Sequence, residues 1–353
     1  MAYPRITIDT EKLTNNVRAV MKLVAPFNIS VAGVTKGFSA NPEIAKAYVD
    51  GGVNYLADSR LQNLKKLKDL DIPKLMLRLP MVSEADELVR YADVSLNSEL
   101  ETIKALNAAA QKNNKVHDVI IMVDLGDLRE GYFHEEDLME AVKEILDLEW
   151  IRIRGLGVNL TCYGGVIPNE KILQRLVDTA ARVEEKFNIE LEIISGGNSS
   201  TVPLLDGRIP GGINHLRMGE AFLMGTEAAY GNRIPGTDDS VFTLEAQVIE
   251  VKEKPSVPTE EIGRDAFGKV PTFVDRGVRK RILCAIGKQD MDLDTLRPTD
   301  PGILILGGSS DHLILDGSDS QKDYRVGDII SFKMHYVSML RIMTSEYVEK
   351  RII

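Results

Sequence analysis

Residues 30–36, SVAGVTK, form a short apolar run that ends in a lysine, and seven runs of the same kind follow it along the chain. Runs of about four to eight residues rich in Val, Ile and Leu are typical of strands buried on both faces. The other seven runs are NYLADS (54–59), KLMLRL (74–79), DVSLN (93–97), DVIIMVDL (118–125), IRGLGVNL (153–160), ELEIIS (190–195) and INHLRMG (213–219). The sequence therefore predicts eight buried strands between residues 12 and 228.

Amphipathic segments separate these runs, with apolar residues at every third or fourth position as on one face of a helix. They are PEIAKAYVDGG, RLQNLKKLKDL, SEADELVRY, SELETIKALNAAAQKN, EEDLMEAVKEILDL and NEKILQRLVDTAARVEEKF. The alternation predicts an α/β fold, a closed (β/α)8 TIM barrel over residues 10–228, rather than an open doubly wound sheet. In such a barrel we expect the functional side chains at the C-terminal ends of the strands.

The pattern changes after residue 228. Pro and Gly become frequent, helical periodicity fades, and strand-like runs such as VFTLEAQVIEVKE (241–253) and DIISFKMHY (328–336) replace the alternation. This change predicts a C-terminal mostly β domain over residues 229–353. The early run RITIDT stands apart from the barrel pattern, so residues 1–9 are assigned to the β domain.

The composition narrows the classes of function. Hydrophobic residues make up 44% and charged residues 27%, which excludes disorder as the dominant state. A net charge of −10 argues against nucleic-acid binding. The sequence shows no membrane-spanning run and no signal-peptide layout, so we expect a cytoplasmic protein without a membrane partner. Its two cysteines, Cys162 and Cys284, argue against a disulfide framework, and no metal site is predicted.

Lys36 is the last residue of the first predicted strand, so we expect it at the mouth formed by the C-terminal ends of the barrel strands. Partial burial beside Val31 and Val34 favours the neutral amine that forms a Schiff base. The alternative is a surface lysine just beyond a strand. Arg129 follows the fifth strand in VDLGDLREG (123–131), where its guanidinium can bind an oxygen anion or simply face solvent.

The seventh and eighth strands open into ISGGNSSTV (194–202) and HLRMGEA (215–221). Glycines let backbone N–H groups point inward together, and the Ser199, Ser200 and Thr201 hydroxyls add donors for a phosphate. The loops after strands seven and eight of TIM barrels often build a phosphate site. Ordinary turns are the alternative for each motif alone, and their combination with Lys36 favours pyridoxal 5′-phosphate.

These motifs carry a resemblance to a known family. The chain resembles the fold-type III pyridoxal-phosphate enzymes of the alanine racemase family, and within it the ornithine racemase branch. The resemblance covers nearly the whole chain and is most specific in VTKG, VDLGDLREG, SGGNSS, LRMGEA, IGRDAFG, AIGKQD, GGSSDH and HYVSMLRI. It implies a cofactor-dependent isomerase that interconverts L- and D-ornithine by α-proton transfer through an aldimine.

The resemblance also implies roles for the residues that bind the cofactor. Lys36 matches the lysine that forms the internal aldimine and moves the α-proton on one face, and Arg129 matches the arginine at the phenolic oxygen. Arg217 matches the arginine that faces the pyridine nitrogen, where a permanent cation disfavours protonation of the ring. The further matches at the cofactor are Asn159 on the sixth strand, Ser199 with the backbone of Gly219 and Glu220 around the phosphate, and the late Tyr336.

Three positions depart from alanine racemase. Met122 stands where that enzyme has a lysine that is often carbamylated, so no carbamate brace is expected. Asn159 replaces a histidine near the ring. Phe267 lies nearest the place of the tyrosine that acts as the opposite-face base, and phenylalanine cannot take a proton.

The opposite-face base must then be another residue, if two bases operate. The candidates in the β domain are Asp265, Lys288, Asp290, Asp311 and His312. We favour Asp311 and His312 in GGSSDH as the catalytic pair, because histidine carries protons near neutral pH. The alternative for this segment is a polar hairpin turn.

The substrate and the assembly follow from the same resemblance. Ser310, Asp311 and Asp290 are the predicted substrate-binding residues, and Asp127, Glu220, Asp290 and Asp311 are the acids that could face the distal ammonium of ornithine. A second domain that serves the opposite face in a partner chain predicts a homodimer with shared active sites. The alternatives are an alanine or broad-specificity racemase for lysine and other basic amino acids, a non-catalytic protein of pyridoxal-phosphate homeostasis, and a pyridoxal-free Schiff-base lyase.

Overall fold

The computed structural model describes residues 2–353 and divides into two compact units. The first unit is Thr10–Asp239, and the second joins the residues up to Asp9 with Ser240–Ile353. The chain begins in the second unit with strand β1 (Arg5–Ile8) and then enters the first.

A closed parallel barrel forms the centre of the first unit. Its strands, each hydrogen-bonded to the next in sequence and the last to the first, are β2 (Ser30–Val34), β3 (Tyr55–Asp58), β4 (Lys74–Met76), β5 (Val94–Asn97), β6 (His117–Val123), β7 (Ile151–Val158), β8 (Ile193–Asn198) and β9 (His215–Met218). The predicted (β/α)8 barrel is therefore confirmed.

Helices alternate with these strands. They are α1 (Thr10–Val24), α2 (Pro42–Gly51), α3 (Leu61–Lys66), α4 (Ala85–Tyr91), α5 (Leu100–Lys112), α6 (Glu135–Leu146), α7 (Glu170–Phe187) and α8 (Glu220–Leu223). Local sequence sets several ends. Asn41 accepts a hydrogen bond from the Glu43 amide at 2.9 Å at the start of α2, and Gly52 ends that helix at a φ of 95°.

The barrel interior is filled by small and branched side chains. Ala32, Val34, Ala57, Leu75, Val94, Leu96, Ile120, Met122 and Ile193 form one buried cluster. Gly155 on β7 allows close approach of β8, because a Cβ there would lie 1.8 Å from the Ile193 carbonyl oxygen. Met122 is thus part of an apolar core.

Seven of the eight barrel strands end one to three residues away from the ends of their sequence runs, and two of these differences shape the barrel mouth. Strand β2 stops at Val34, and Lys36 begins a 3₁₀ turn (Lys36–Phe38). Strand β8 extends to Asn198, three residues beyond the predicted run. Gly197 makes this extension feasible, since its φ of 111° is a conformation that other residues rarely adopt.

Residues 229–239 belong to the first unit, where they pack beside its end and its first helix. The Asn232 amide donates to the buried Glu227 carboxylate at 2.7 Å, and the Asp238 amide donates to the Asn16 side chain at 2.6 Å. These bonds tie residues 229–239 to the first unit, although the sequence pattern already changes at residue 228.

The second unit is a mostly antiparallel sheet. Its remaining elements are β10 (Phe242–Pro255), β11 (Val278–Cys284), β12 (Leu296–Pro298), β13 (Leu304–Gly308), β14 (Leu313–Asp316), β15 (Ile329–Met334), α9 (Tyr336–Thr344) and β16 (Glu349–Ile352). The strand order is β12-β15-β10-β11-β14-β13, and β1 joins β10 to β16. A largely buried ion pair between Arg5 and Glu245, 2.6 Å from Nε to Oε2, holds β1 against β10.

Candidate active site

The C-terminal ends of the barrel strands carry the predicted residues of the first unit. Lys36 follows β2, and Arg129 follows β6. The other positions lie at three successive strands: Asn159 just after β7, Ser199 just after β8, and Arg217, Gly219 and Glu220 at the end of β9. Because the strands are parallel, all of these positions are at one mouth of the barrel.

Lys36 is half-buried, and a buried carboxylate braces its turn. The Thr35 hydroxyl donates to Asp58 Oδ2 at 2.7 Å, and the Thr35 amide donates to the Ala57 carbonyl at 2.8 Å. Burial raises the pKa of Asp58, while the hydrogen bond from Thr35 opposes that rise. Within residues 2–353 the Lys36 amine has no hydrogen bond or ion pair, so it is available to a ligand.

Arg217 is a buried cation without a carboxylate within ion-pair distance among the described residues. It donates to the Ser195 hydroxyl at 2.5 Å and to the Val158 carbonyl at 2.9 Å. Burial lowers the pKa of Arg217 to about 10, which still leaves it protonated at neutral pH. A buried cation without a directly paired carboxylate is suited to an electron-rich ligand.

His215 is linked to the same arginine through a shared serine. Its Nδ1 lies 2.8 Å from Ser195 Oγ, the atom that also accepts from Arg217. Burial, with the nearby Arg217 charge, lowers the pKa of His215 to about 3. The ring is therefore neutral at physiological pH, and the Ser195 hydroxyl is a neutral link between the two side chains. Sequence analysis did not identify this link, since serine and histidine on neighbouring strands leave no local motif.

The segment after β8 and the start of α8 form a small polar cradle. Ser199 Oγ accepts hydrogen bonds from the Gly219 amide at 3.3 Å and the Ala221 amide at 3.1 Å. Ser200 Oγ is buried and lacks a hydrogen-bond partner among the described residues. A cradle of amides and hydroxyls with an unsatisfied donor matches the needs of a phosphate.

Arg129 is held by its own neighbour. Its guanidinium makes two hydrogen bonds to the Glu130 carboxylate, and this pairing raises the pKa of Arg129. The preceding turn is closed by Asp124, which accepts from the Gly126 amide at 2.8 Å and the Leu128 amide at 3.1 Å. Glu130 was not among the sequence candidates.

Asp127 fastens the loop that follows β7. Its buried carboxylate accepts from the amides of Thr161 at 2.9 Å, Tyr163 at 3.0 Å and Val166 at 3.2 Å. The structure thus favours a bracing role for this acid over a carboxylate free to meet a substrate ammonium.

The candidates of the second unit occupy different settings. Asp311 and His312 lie on the exposed turn between β13 and β14, with His312 Nδ1 2.9 Å from Asp311 Oδ1, and Ser310 precedes them. Asp290 is buried and accepts from Ser345 Oγ at 2.6 Å. Tyr336 is the first residue of α9. Their part at the barrel mouth stays a prediction.

The other second-unit residues considered lie together. Lys288 Nζ is 4.0 Å from Asp265 Oδ2 and 4.2 Å from the centre of the Phe267 ring. Within residues 2–353 no group of three or more His, Cys, Asp or Glu side chains is arranged to hold a metal ion. No helix in that range combines the length and apolar character needed to cross a bilayer.

The (β/α)8 barrel and the residues at its mouth match the class of fold-type III enzymes. Comparison with known proteins gives the family. Residues 8–227 match the model described as "Alanine racemase, N-terminal domain", and the chain belongs to this family. It is 54% identical to an ornithine racemase of Acetoanaerobium sticklandii over 99% of this chain and 100% of that protein. It is 40% identical to a lysine racemase of Thermotoga maritima, over 99% of this chain and 98% of that protein.

Solved structures agree on the fold. An alanine racemase from Bartonella henselae with covalently bound pyridoxal phosphate superposes with a TM-score of 0.75 at 19% identity, covering all of both chains. The predicted membership of the alanine racemase family is confirmed.

Proposed function

We propose that this chain is a pyridoxal-phosphate-dependent amino-acid racemase that interconverts L- and D-ornithine. The observation that carries the substrate is the 54% identity to an ornithine racemase along nearly the whole chain. The residues at the barrel mouth fit the cofactor. Arg217 is a buried cation without a carboxylate partner, and Ser200 Oγ is a buried hydroxyl without an acceptor, among the described residues.

The proposed cofactor site uses the residues of the mouth in separate roles. Lys36 Nζ would attach the cofactor and would move the α-proton on one face. Arg129 would bind the phenolic oxygen, Arg217 would supply a fixed positive charge for the ring nitrogen, and Asn159 would contact the ring. Ser199 and the backbone of Gly219 and Glu220, together with Tyr336 of the second unit, would hold the phosphate. When bound, pyridoxal phosphate withdraws electrons from the amino acid's α-carbon and so makes its hydrogen acidic.

Glu220 supports a basic substrate. Its carboxylate is half-buried, and burial together with the neighbouring Glu227 raises its pKa. In the described part of the chain it has no hydrogen bond or ion pair. A substrate ammonium would supply the missing cation, so a distal amine would be favoured over the methyl group of alanine.

We also propose that the protein is a cytoplasmic homodimer with shared active sites, in which Ser310, Asp311 and Asp290 bind substrate. Asp311 and His312 are the candidates that the second unit offers for the opposite face. The second unit supports an interface through one apolar segment between residues 262 and 278. The exposed side chains there are Ile262, Phe267, Val270, Phe273, Val274 and Val278. Sedimentation analysis of the cofactor-loaded protein tests this proposal, and a monomer at micromolar concentration would contradict it.

The function is tested on protein loaded with pyridoxal phosphate. We expect a visible absorption band, and borohydride reduction followed by peptide mapping should label Lys36. Lys36→Ala should lose the label, whereas Lys46→Ala, an exposed lysine paired with Asp50, should keep it. Labelling at another lysine would contradict the assignment.

Substrate choice is measured by loss of optical rotation with ornithine, lysine and alanine. We expect ornithine to be the fastest and alanine the slowest. A faster reaction with lysine would indicate that lysine is the preferred substrate, as the name of the lysine racemase relative suggests. Absence of solvent deuterium from the α-position of every amino acid tested would support the non-catalytic cofactor-binding alternative.

A further inference from the structure

Cys162 is an exposed thiol on the loop after β7, four residues beyond the end of that strand at the barrel mouth. Its Sγ lies 3.5 Å from Asn159 Oδ1 and 3.5 Å from Asn198 Nδ2. The chain's other thiol, Cys284, is buried in β11, where burial raises its pKa to about 12. The two cysteines therefore differ in accessibility and chemistry.

The amide beside Cys162 has an unsatisfied donor. Asn159 is only 7% exposed, yet its Nδ2 has no hydrogen-bond partner in the described part of the chain. The Oδ1 of the same amide contacts Cys162 Sγ. A buried donor next to an exposed thiol indicates a place where a ligand atom completes the hydrogen bonding.

Two arginines create a positive electrostatic environment around Cys162. A negative charge at Cys162 attracts both arginines: it adds to the rise in the pKa of Arg129 and partly offsets the lowering of the pKa of Arg217 by burial. The thiolate is the form of cysteine that accepts a proton. These two arginines are also the proposed partners of the cofactor ring, so the thiol lies in the same electrostatic environment as the reacting group.

The loop holds the thiol in a defined place. The Asp127 carboxylate binds the amides on both sides of it, those of Thr161 and Tyr163. Thr161 adopts a φ of 71°, a strained conformation for a β-branched residue, and its hydroxyl donates to the Val166 carbonyl at 2.9 Å. Strain that several bonds maintain is a feature of functional loops.

Strand order sets Cys162 across the mouth from Lys36. Lys36 follows β2 and Cys162 follows β7, and these strands are three positions apart around an eight-stranded barrel. Directly opposite strands would be four positions apart. The strand between them that carries Arg217, β9, adjoins β2. Two proton-carrying side chains thus face the mouth from nearly opposite sides.

We propose, building on the racemase function above, that Cys162 carries the proton on the face of the α-carbon opposite Lys36. In one direction the thiolate Sγ takes the α-hydrogen as a proton, and the ammonium at Lys36 Nζ delivers a proton to the other face. The thiol and the free amine that result return to their starting forms by exchange with solvent. In the other direction the two groups exchange roles. The chain then needs no tyrosine at the position of Phe267.

The test uses loaded wild-type, Cys162→Ser and Cys284→Ser proteins with each ornithine enantiomer in deuterium oxide. We expect Cys162→Ser to interconvert the enantiomers about 100-fold more slowly or worse, in line with the loss of a general acid–base group. It should still exchange the α-hydrogen of one enantiomer with retention, through Lys36. Cys284→Ser should match the wild type.

A chemical readout that does not depend on turnover accompanies the kinetics. Iodoacetamide should alkylate Cys162 but not Cys284 in the loaded wild type, and ornithine should slow the labelling, as followed by mass spectrometry. This measurement needs no variant, so it stands even if Cys162→Ser folds poorly. Labelling of Cys162 that ornithine leaves unchanged would overturn the proposal.

The outcomes separate this inference from the function itself. A wild type that leaves ornithine optically unchanged refutes the proposed function. A racemising wild type with Cys162→Ser active to within threefold overturns the role of Cys162 alone. Exchange confined to one enantiomer in His312→Gln, together with an active Cys162→Ser, would instead assign the opposite face to the second unit.

Discussion

Acidification should unfold this protein partly through two buried histidines of the barrel. His117 and His215 are both almost fully buried, and burial lowers their pKa to about 4 and about 3. His117 Nε2 lies 2.8 Å from Ser95 Oγ, and its Nδ1 has no partner among the described residues. Asp118 and Asp93 favour a charge on His117, but their attraction does not offset the effect of burial.

The sign and size of the effect follow from these values. An unfolded histidine has a pKa of about 6.5, so unfolding at acid pH takes up a proton that the folded ring excludes. The stabilisation is complete above about pH 6.5 and is lost as the pH falls towards the folded pKa. At about 1.36 kcal/mol per pH unit, each ring costs about 2 kcal/mol between pH 7 and pH 5. Together they lower the free energy of unfolding by about 4 kcal/mol.

Urea unfolding at pH 7 and pH 5 measures the change, with the difference between the two pH values compared across variants. Glutamine reaches the position of Nε2 and asparagine that of Nδ1, so His117→Gln and His215→Asn preserve the neutral hydrogen bonds. Each should shrink the difference by about 2 kcal/mol. Asp58 and Glu220, whose pKa values burial raises, act in the opposite direction but are common to all variants.

Equal pH dependence in the wild type and both barrel variants would refute the reasoning. It would mean that the two rings take up their protons in the folded barrel as readily as in the unfolded chain. Native-state titration by NMR would then show imidazole signals moving near pH 6.5.

Three further predictions concern the stability of the two units. Gly155→Ala should lower the free energy of unfolding by more than about 3 kcal/mol or prevent folding, because its Cβ would lie 1.8 Å from a β8 carbonyl oxygen. Gly211→Ala is the control: open space surrounds this position, so the free energy of unfolding should change by less than about 1 kcal/mol in the same urea assay. Asp127→Ala should lower the free energy of unfolding by about 3 kcal/mol, about 1 for each lost hydrogen bond, and should speed amide hydrogen exchange in residues 161–166. Unchanged exchange there would contradict the bracing role of Asp127. Glu245→Gln should lower the free energy of unfolding by about 2 kcal/mol, because it removes the carboxylate charge that accepts two hydrogen bonds from the Arg5 guanidinium, and thermal unfolding measures the loss. A loss below about 0.5 kcal/mol would mean that water already screens the pair.

Much of the barrel was accessible from the sequence because its strands are buried on both faces. The eight apolar runs and the helices between them carry their own periodicity, and the mouth residues that follow the strands could be placed by counting. The same logic located Lys36 and Arg217. The short strands β12 and β16 and helix α9 were missed, because each is brief and lacks a strong alternation of its own.

The details of the mouth depend on side chains far apart in sequence. Asp58 reaches the Lys36 turn from the next strand, and Ser195 links two residues of β9. Cys162 has no motif around it that predicts a proton carrier. Its environment, an unpaired amide and two arginines, exists only when three loops meet.

The amino-acid sequence alone determined the barrel and the family and predicted the attachment lysine, since these rest on local periodicity and on short contiguous motifs. Only the tertiary structure decided which acids are free and which are used as braces. The Asp127 carboxylate binds three loop amides, and the Glu220 carboxylate has no hydrogen bond or ion pair within residues 2–353. Hydrogen bonding and burial are properties of neighbours in space, and closing eight strands into a ring brings together residues that the chain holds far apart.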